Sequence, residues 1–181
     1  MTADAGRLLI DSVDRERMTD LAQSLIKIPS FKTEESDVAR FLGKFFEERG
    51  YETLLQEVEP GRFQTVATLR GTGGGKSLMF NGHIDIDPLA MGWNRDPWQP
   101  SVEGDRLYGA GARNMKGGVS AMIEATETVR LSGVRLKGDL VVACVVGELQ
   151  GGVGSSYLCA NGPLTDMAVV PEPFGAHHIL T

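Results

Sequence analysis

The chain has 181 residues, enough for one domain with a substantial core, and its 24 acidic and 18 basic residues give a formal net charge of -6. Lysine and arginine do not cluster along one face, which argues against a nucleic-acid partner. No segment is apolar enough to span a bilayer or to act as a secretory signal, so no membrane partner is predicted. Cys144 and Cys159 form neither a metal pattern nor a disulfide framework, which predicts a cytoplasmic protein with two buried thiols.

Two amphipathic helices followed by two strands are predicted in the first part of the chain. Apolar residues recur at helical spacing in the first two segments, and Pro29 and Gly50 are typical helix stops. Alternating apolar and polar residues predict the strands, which the turn dipeptide Pro60-Gly61 separates. The segments are Ser12–Ile28 and Glu35–Arg49 for the helices, and Tyr51–Val58 and Phe63–Arg70 for the strands. All four indicate packing rather than a functional site.

The segment Gly71–Ser77 is rich in glycine, and its Gly-Lys-Ser ending is similar to that of a phosphate-binding loop. Such a loop needs a glycine at position 70 and a helix after it, so that backbone N–H groups face the phosphates. Here position 70 is Arg70, and a strand follows. A flexible hairpin turn is therefore favoured over a nucleotide site.

From Ser77 onward, apolar strands alternate with helices, a pattern typical of βαβ units and a largely parallel sheet. The predicted strands are Leu78–Ile84, Asp139–Val146 and Met167–Val170, and the helices between them are Met115–Leu131 and Gly152–Ala160. Each helix is long enough for a right-handed crossover. Because ligands of open α/β sheets bind beyond the carboxyl ends of the strands, polar residues at those ends are candidate site residues.

Four such residues lie at or just beyond the ends of the predicted strands, namely His83, Asp85, Glu148 and Glu172. His83 and Asp85 are two positions apart on a strand, so their side chains leave the same face, and a carboxylate can orient a histidine that binds a metal. An H-x-D pair by itself is more often a hydrogen-bonded structural histidine. The convergence of a histidine with several carboxylates at one sheet edge favours a metal site.

Ordered sequence blocks extend this pattern beyond single residues. They are Asn81-Gly82-His83-Ile84-Asp85, Gly109–Gly118, Gly147-Glu148 with Gly151-Gly152, and Glu172-Pro173. In these blocks, which span about half of the chain, the sequence resembles the zinc-dependent metallopeptidase and deacylase family that includes acetylornithine deacetylase, succinyl-diaminopimelate desuccinylase, aminoacylases and glutamate carboxypeptidase. The order and spacing of the blocks argue against a chance resemblance.

The resemblance implies a role for each of the four candidate residues. His83 matches a zinc ligand, and Asp85 matches the carboxylate that orients it. Glu172 matches a second ligand of the same metal. Glu148 matches the general base that takes a proton from the metal-bound water attacking the scissile amide. These roles are chemically consistent, because bound Zn²⁺ lowers the pKa of its water towards about 7 and polarises the carbonyl.

Two positions depart from the family pattern. The family has an aspartate that bridges both metals where this chain has Asn114, and a neutral amide bridges two cations poorly. It has a second glutamate after the general base where this chain has Leu149, and a further histidine ligand in a part of the family that follows Thr181. The expected site therefore contains His83 and Glu172, with Asn114 as a poor or indirect ligand. We predict at most one bound metal, Zn²⁺ or alternatively Co²⁺ or Mn²⁺.

Family members are about twice as long, so residues 1–181 are predicted to be the N-terminal portion of one catalytic domain, without the inserted domain that serves homodimerisation and closure over substrate. We expect an α/β fold, a three-layer α/β/α sandwich with a mixed, mainly parallel sheet, as an incomplete catalytic domain with an exposed sheet edge. The leading function is metal-dependent hydrolysis of amide bonds in N-acyl amino acids or small peptides. The alternative is a non-catalytic relative with at most one metal that acts as a binding or regulatory module, which Asn114 and Leu149 favour.

Five further side chains are candidates for a role at the site or in packing. His177 and His178 follow Glu172, but adjacent strand residues point to opposite faces, so a solvated loop or strand start is favoured over metal binding. Trp93 and Trp98 line a substrate entrance in one interpretation and pack a long loop in the other. Lys116, at the start of a predicted helix, is assigned a structural role.

Overall fold

The structure is a computed structural model and describes residues 3–173, within which there are five α-helices and seven β-strands. The helices are α1 (Ala3–Asp11), α2 (Arg15–Ile26), α3 (Ser36–Glu47), α4 (Gly117–Leu131) and α5 (Val153–Asn161). The strands are β1 (Glu52–Glu59), β2 (Arg62–Leu69), β3 (Leu78–His83), β4 (Ser101–Glu103), β5 (Arg106–Tyr108), β6 (Leu140–Val145) and β7 (Met167–Val169). None of these helices is long and apolar enough to cross a membrane.

One five-stranded sheet, in the order β1-β2-β6-β3-β7, organises the fold. β3 pairs in parallel with both β6 and β7, whereas β2 is antiparallel to its neighbours β1 and β6. Four of the five strands therefore run in the same direction. β6 is buried along its whole length, which explains why its sequence is apolar without alternation. β7 lies at one edge of the sheet and its three residues are exposed.

Helices cover both faces of this sheet. On one face, α2, α3 and α4 share a core cluster that includes Leu25, Leu42, Phe46, Ile123 and Val142. On the other face, Leu158 of α5 packs with Val66, Met79, Val141, Ala143 and Val145. A mixed, mainly parallel sheet between two helical layers confirms the predicted three-layer α/β/α sandwich.

The predicted helices and strands are present with ends shifted by a few residues, and several features differ from the predictions. Two elements were not predicted, α1 and the hairpin β4–β5, whose three-residue strands are too short to show alternation. The helix predicted from Met115 begins at Gly117, because Asn114 and Met115 have non-helical backbone angles. Cys144 is buried as predicted, but the prediction of a buried Cys159 is wrong, because α5 leaves that thiol exposed.

The prediction of a hairpin turn at Gly71–Ser77 is also wrong. β2 and β3 are not neighbours, because β6 lies between them, and the segment instead crosses the end of β6. Its backbone runs beside the residues that lead into β6, with the N–H of Thr72 donating to the carbonyl of Leu136 at 2.8 Å. A Cβ on Gly71 would lie 2.4 Å from the carbonyl oxygen of Gly138, so glycine is what allows the two segments to touch.

A buried carboxylate, Glu127 on α4, ties several elements together. Its residue is 2% exposed, and it accepts hydrogen bonds from the Tyr51 hydroxyl at 2.6 Å and from two nitrogens of Arg130 at 2.7 Å. Arg49, which follows α3, lies 3.4 Å away. Burial raises the pKa of the Glu127 carboxyl, but the hydrogen bonds from Arg130 and Tyr51 lower it more, so the pKa lies below its ordinary value. The ionised form therefore stabilises the fold.

Glu127→Gln should lower the free energy of unfolding at pH 7 by about 3 kcal/mol, because two arginines lose a buried charge partner. Since the folded-state pKa is depressed, this contribution is present above about pH 4.3 and is lost as the pH falls through the folded-state pKa. Urea unfolding should therefore show that the difference in the free energy of unfolding between the protein and the variant becomes smaller below about pH 4. Glu103→Gln is the matched control, because Glu103 is exposed and pairs with Arg95 at 2.7 Å. An equal loss in both variants would contradict the assignment.

Candidate active site

Three parallel strands deliver the candidate residues to one edge of the sheet. β3 lies between β6 and β7, and all three strands end at this edge. His83 is the last residue of β3, while Glu148 follows β6 and Glu172 follows β7. From the Nε2 atom of His83, carboxylate oxygens lie 3.4 Å away on Glu172 and 3.9 Å away on Glu148. The strand ends therefore bring together three residues that are far apart in the sequence.

The imidazole of His83 is buried, with the residue 2% exposed, and both ring nitrogens have partners. Nδ1 lies 2.8 Å from the backbone carbonyl oxygen of Asp85, and Nε2 lies 3.0 Å from Oδ1 of Asn114. Both partners are acceptors, so the arrangement suits a protonated ring. Burial lowers the pKa of His83, but the hydrogen bond and charge of Asp85, together with Asn114 and Glu172, raise it more, to about 9. The ring is thus held in one orientation, with Nε2 facing the carboxylates.

The carboxylate of Asp85 connects the histidine to the segment that carries Glu148. It is fully buried, and its Oδ1 lies 3.4 Å from Nδ1 of His83. Its two oxygens accept the backbone N–H groups of Glu148 at 3.2 Å and Leu149 at 3.0 Å. Burial raises the pKa of Asp85, but these hydrogen bonds and the one from His83 lower it more, so it lies below its ordinary value. The structure refines the expected role, because the backbone carbonyl of Asp85 is closer to the ring than its carboxylate.

Glu148 and Glu172 sit in different surroundings. Glu148 begins a short 3₁₀ turn, and its side chain is 49% exposed, so its carboxylate reaches solvent as well as the histidine. The side chain of Glu172 is only 19% exposed. Burial raises the pKa of Glu172, the charge of His83 lowers it, and the carboxylates of Glu148 and Asp85 raise it again, so the pKa lies above its ordinary value. One carboxylate can therefore meet incoming molecules, while the other lies deeper beside the imidazole.

Asn114 is presented by an irregular turn, Ala112–Lys116, that precedes α4. The peptide bond between Asn114 and Met115 is cis. Met115 is buried, and its sulfur accepts the backbone N–H of His83 at 3.2 Å. The sequence analysis did not single out Met115, and no signal marks it apart from its position next to Asn114. The turn therefore contacts His83 twice, through an amide oxygen and through a sulfur.

The donor atoms around His83 fit one metal position. In a tetrahedral zinc site, ligand atoms about 2.1 Å from the metal lie about 3.4 Å from one another. The Nε2 atom of His83 is 3.0 Å from the oxygen of Asn114 and 3.4 Å from that of Glu172. Within residues 3–173, no group of three His, Cys, Asp or Glu side chains is placed to hold a metal ion, and the third donor beside His83 and Glu172 is an amide. The residues fit one metal with two strong ligands and one weak ligand.

Leu149 stands where the family resemblance implies a glutamate ligand of a second metal. Its side chain has no donor atom, and its backbone N–H is already bonded to Asp85. Asn114 contributes one neutral oxygen, which faces His83. The limit of one metal per chain stays a prediction, and these contacts support it.

Lys116 lies behind the site, in surroundings that favour the structural role assigned to it. It is 1% exposed, and its Nζ donates to the backbone carbonyls of Leu25 and Ile28 at 2.8 Å each. Burial lowers the pKa of Lys116 to about 7. The ring of Trp98 lies 6.0 Å from Nζ and packs edge to face on Phe31 at 5.5 Å. Trp98 therefore packs its loop, which decides between the two interpretations given for it.

A cavity of about 230 Å³ opens beside Asn114, between the loop after β3 and the turn before α4. Its lining includes Trp93, which is 40% exposed, in line with the substrate-entrance interpretation of that residue. Asp87 and Arg113 also line the cavity, and neither has a predicted role, although Arg113 lies within the Gly109–Gly118 block and Asp87 lies two positions after Asp85. His177 and His178 lie outside the described residues.

Comparison with known proteins decides the family. Residues 79–180 match peptidase family M20/M25/M40. The chain belongs to this family. An N-formyl-4-amino-5-aminomethyl-2-methylpyrimidine deformylase from Bacillus subtilis (strain 168) is 30% identical over 172 residues, which cover 90% of this chain and 40% of that protein. A succinyl-diaminopimelate desuccinylase from Gluconobacter oxydans is 33% identical over 160 residues, which cover 84% of this chain and 42% of that protein.

Solved structures of the M20 family share the fold. An M20 family metallo-carboxypeptidase from Sulfolobus solfataricus superposes with a TM-score of 0.73 at 22% identity, covering 87% of this chain and 37% of that chain. The predicted resemblance to metallopeptidases and deacylases is confirmed. The chain spans about two fifths of the length of the relatives it matches, so the fold described above corresponds to part of the M20 structure.

Proposed function

We propose that the protein is a metal-dependent hydrolase of amide bonds in N-acyl amino acids or small peptides, with Glu148 as the general base. The observation that carries the proposal is the convergence on Nε2 of His83 of Glu172, at 3.4 Å, and Glu148, at 3.9 Å. A buried histidine and carboxylate suit metal binding, and a half-exposed carboxylate beside them suits proton transfer. Relatives named as a deformylase and a desuccinylase support the amide class of substrate.

His83 and Glu172 would hold one metal ion, with Asn114 as a weak or indirect third ligand. We propose zinc, with cobalt or manganese as alternatives. When bound, the ion supplies Lewis acidity, which lowers the pKa of a water molecule to about 7 and polarises the amide carbonyl. Asp85 fixes the imidazole from the Nδ1 side, so that Nε2 is presented to the ion.

Glu148 carries the proton that the reaction must move. Its carboxylate takes a proton from water as the water oxygen bonds to the amide carbon, and then gives a proton to the amide nitrogen as the C–N bond breaks. The products are a carboxylic acid and an amine. The exposure of the side chain, 49%, leaves room for this exchange, while the backbone of Glu148 is held by Asp85.

We also propose how the chain relates to a whole catalytic domain, to a homodimer and to a cellular location. Residues 1–181 would be the N-terminal portion of one catalytic domain, since the chain covers 40% and 42% of the two curated relatives. Homodimerisation through an inserted domain outside these residues follows the family pattern. A cytoplasmic location agrees with the free thiols of Cys144 and Cys159.

A hydrolysis assay of the protein tests this function directly. The substrates are N-formyl, N-acetyl and N-succinyl amino acids and a tripeptide, and the free amine is followed with a fluorescent reagent. We expect release from at least one acyl amino acid, lost after treatment with a chelator and restored by zinc. The absence of release from all of these substrates at saturating zinc would contradict the proposal.

A second candidate function is that of a non-catalytic relative that binds an acyl amino acid and at most one metal. Asn114 and Leu149 favour it, because both replace a metal-binding carboxylate of the family pattern. Titration calorimetry with the same acyl amino acids separates the two candidates. Binding without turnover supports the binding module, and turnover excludes it.

A further inference from the structure

Two polar side chains of β2, Arg62 and Gln64, are buried directly behind the segment that carries Glu148. They are two positions apart on the strand, so both leave the same face. Arg62 is 5% exposed and Gln64 is 0% exposed. Burying a guanidinium and an amide is costly unless their hydrogen bonds are satisfied. The chemistry proposed above uses neither residue. We call residues 147–152, which lead from the end of β6 to α5, the base loop.

Arg62 supports the start of the base loop. Its Nε and Nη2 atoms donate to the carboxylate of Glu35, which is 0% exposed, and its Nη1 donates to Glu59 at 2.7 Å. A Cβ on Gly147 would lie 2.8 Å from Nη2 of Arg62, so the guanidinium packs against the backbone of Gly147. Gly147 directly precedes Glu148 and has a left-handed φ of 67°. The buried ion pair therefore lies beneath the residue that leads into the proposed base.

Gln64 supports both flanks of the base loop. Its Nε2 donates to the carbonyl of Gly154 at 3.2 Å and to the side chain of Gln56 at 2.9 Å. Its Oε1 accepts the N–H of Val146, the residue before the loop, at 3.4 Å. A Cβ on Gly154 would lie 2.4 Å from this oxygen, so the backbone and the amide are in direct contact. The Gln64 side chain thus contacts Val146, just before the base loop, and Gly154, shortly after it.

We propose that Arg62 and Gln64 are positioning residues that fix the base loop and, through it, the carboxylate of Glu148. The assignment rests on the proposed role of Glu148 as the general base. On the opposite side, Asp85 holds the N–H of Glu148, so the loop is clamped between β2 and the site. The glycines at 147, 151 and 152 allow its left-handed turns but bring no side chain to hold them. Backbone hydrogen bonds within the loop, the contacts from β2 and the hydrogen bonds to Asp85 therefore hold the loop together.

Amide hydrogen exchange, measured by NMR on the protein, tests the proposal without relying on activity. The reporters are the backbone N–H groups of Glu148 and Leu149, which bond to Asp85. Gln64→Met keeps the size of the side chain and removes its hydrogen bonds to the loop flanks. We expect exchange at the two reporters to accelerate at least tenfold, while the amides of the central strand β6 stay as protected as before.

The double variant Arg62→Met with Glu35→Met tests whether the buried ion pair beneath Gly147 also supports the base loop. Both charges are removed together, so no unpaired charge stays buried and the variant is expected to fold. The same tenfold acceleration is expected at the two reporters. Unchanged exchange at both reporters in the two sets of variants would overturn the proposal, and so would equal acceleration across the whole sheet, which indicates a general loss of stability.

Arg70→Met is the matched control. Arg70 follows the opposite end of β2, is 60% exposed at its side chain and pairs with Glu52 and Asp139 at 2.6 Å each. It is an arginine with two carboxylate partners and no contact with the base loop. Exchange at Glu148 and Leu149 should be the same in this variant as in the parent.

Kinetics distinguish positioning from a purely structural role. In the active protein, the Gln64 and Arg62/Glu35 variants should lower kcat at least tenfold and leave KM within twofold, whereas Arg70→Met changes neither. An unchanged kcat together with accelerated exchange would overturn the link to Glu148. If no preparation hydrolyses any substrate, the proposed function fails, while the exchange experiment still decides whether Arg62 and Gln64 hold the loop.

Discussion

Glu148→Gln should lower kcat for amide hydrolysis about 10³-fold with little change in KM, because glutamine keeps the size of the side chain but cannot take a proton from water. The backbone N–H of residue 148 would still donate to Asp85, since that bond does not involve the side chain. The side chain is 49% exposed, so the melting temperature should stay within about 2 °C of the parent. Initial rates of amine release with zinc-loaded protein measure the effect.

Gln150→Ala is the control for Glu148→Gln. Gln150 ends the same 3₁₀ turn and is exposed, so its truncation changes the surface of the loop without touching the proposed base. We expect this variant to keep its activity within twofold. A rate for Glu148→Gln within fivefold of the parent would exclude Glu148 as the base.

In a full-length chain that supplies the further histidine ligand of the family pattern, Asn114→Asp combined with Leu149→Glu should raise the metal content from at most one ion to two ions per chain. The first change places a charged oxygen where Asn114 now lies 3.0 Å from Nε2 of His83, and the second adds a carboxylate beside Glu148. Zinc affinity should rise at least tenfold, because carboxylates replace a neutral amide and a hydrocarbon. Elemental analysis after equilibration with zinc, together with a competition titration, measures both quantities.

The single changes show which position limits metal binding. Asn114→Asp alone should tighten the first metal without adding a second, and Leu149→Gln serves as a control that adds a polar group but no charge. If the combined variant has unaltered metal content and turnover, positions 114 and 149 do not have the roles assigned to them. Two tightly held ions in the unchanged protein would contradict the limit of one metal.

The parts of the fold that could be predicted have local sequence signals. β3 and β6 are short apolar runs, and the helices of the chain repeat apolar residues at helical spacing, so the strand ends could be located within a few residues. His83 ends β3, Glu148 follows β6 and Glu172 follows β7, and these parallel strands end at the same sheet edge. The proximity of these three residues can therefore be predicted from the sequence alone.

The parts that could not be predicted depend on contacts between distant segments. The burial of Glu35 and Arg62 has no local signal, because isolated charged residues are mostly exposed and these two are separated by 26 intervening positions of helix and strand. The hairpin expected at Gly71–Ser77 failed because strand order is a property of the whole sheet. The hydrogen bonds from the base loop to Asp85 use backbone N–H groups, which no residue type reveals.

Asp85 and Glu148 differ in how much each side chain contributes to the structure, and this difference affects how well each position would tolerate substitution. Asp85 accepts two backbone N–H groups, so its carboxylate contributes to the local structure as well as to the proposed site. The Glu148 side chain is half exposed, and its carboxylate lies 3.9 Å from a histidine nitrogen, which is beyond hydrogen-bond distance. Folding therefore offers little protection to Glu148 against random replacement. In a chain that carries Asn114 and Leu149, the presence of Glu148 therefore favours a catalytic role more strongly than the presence of Asp85 does.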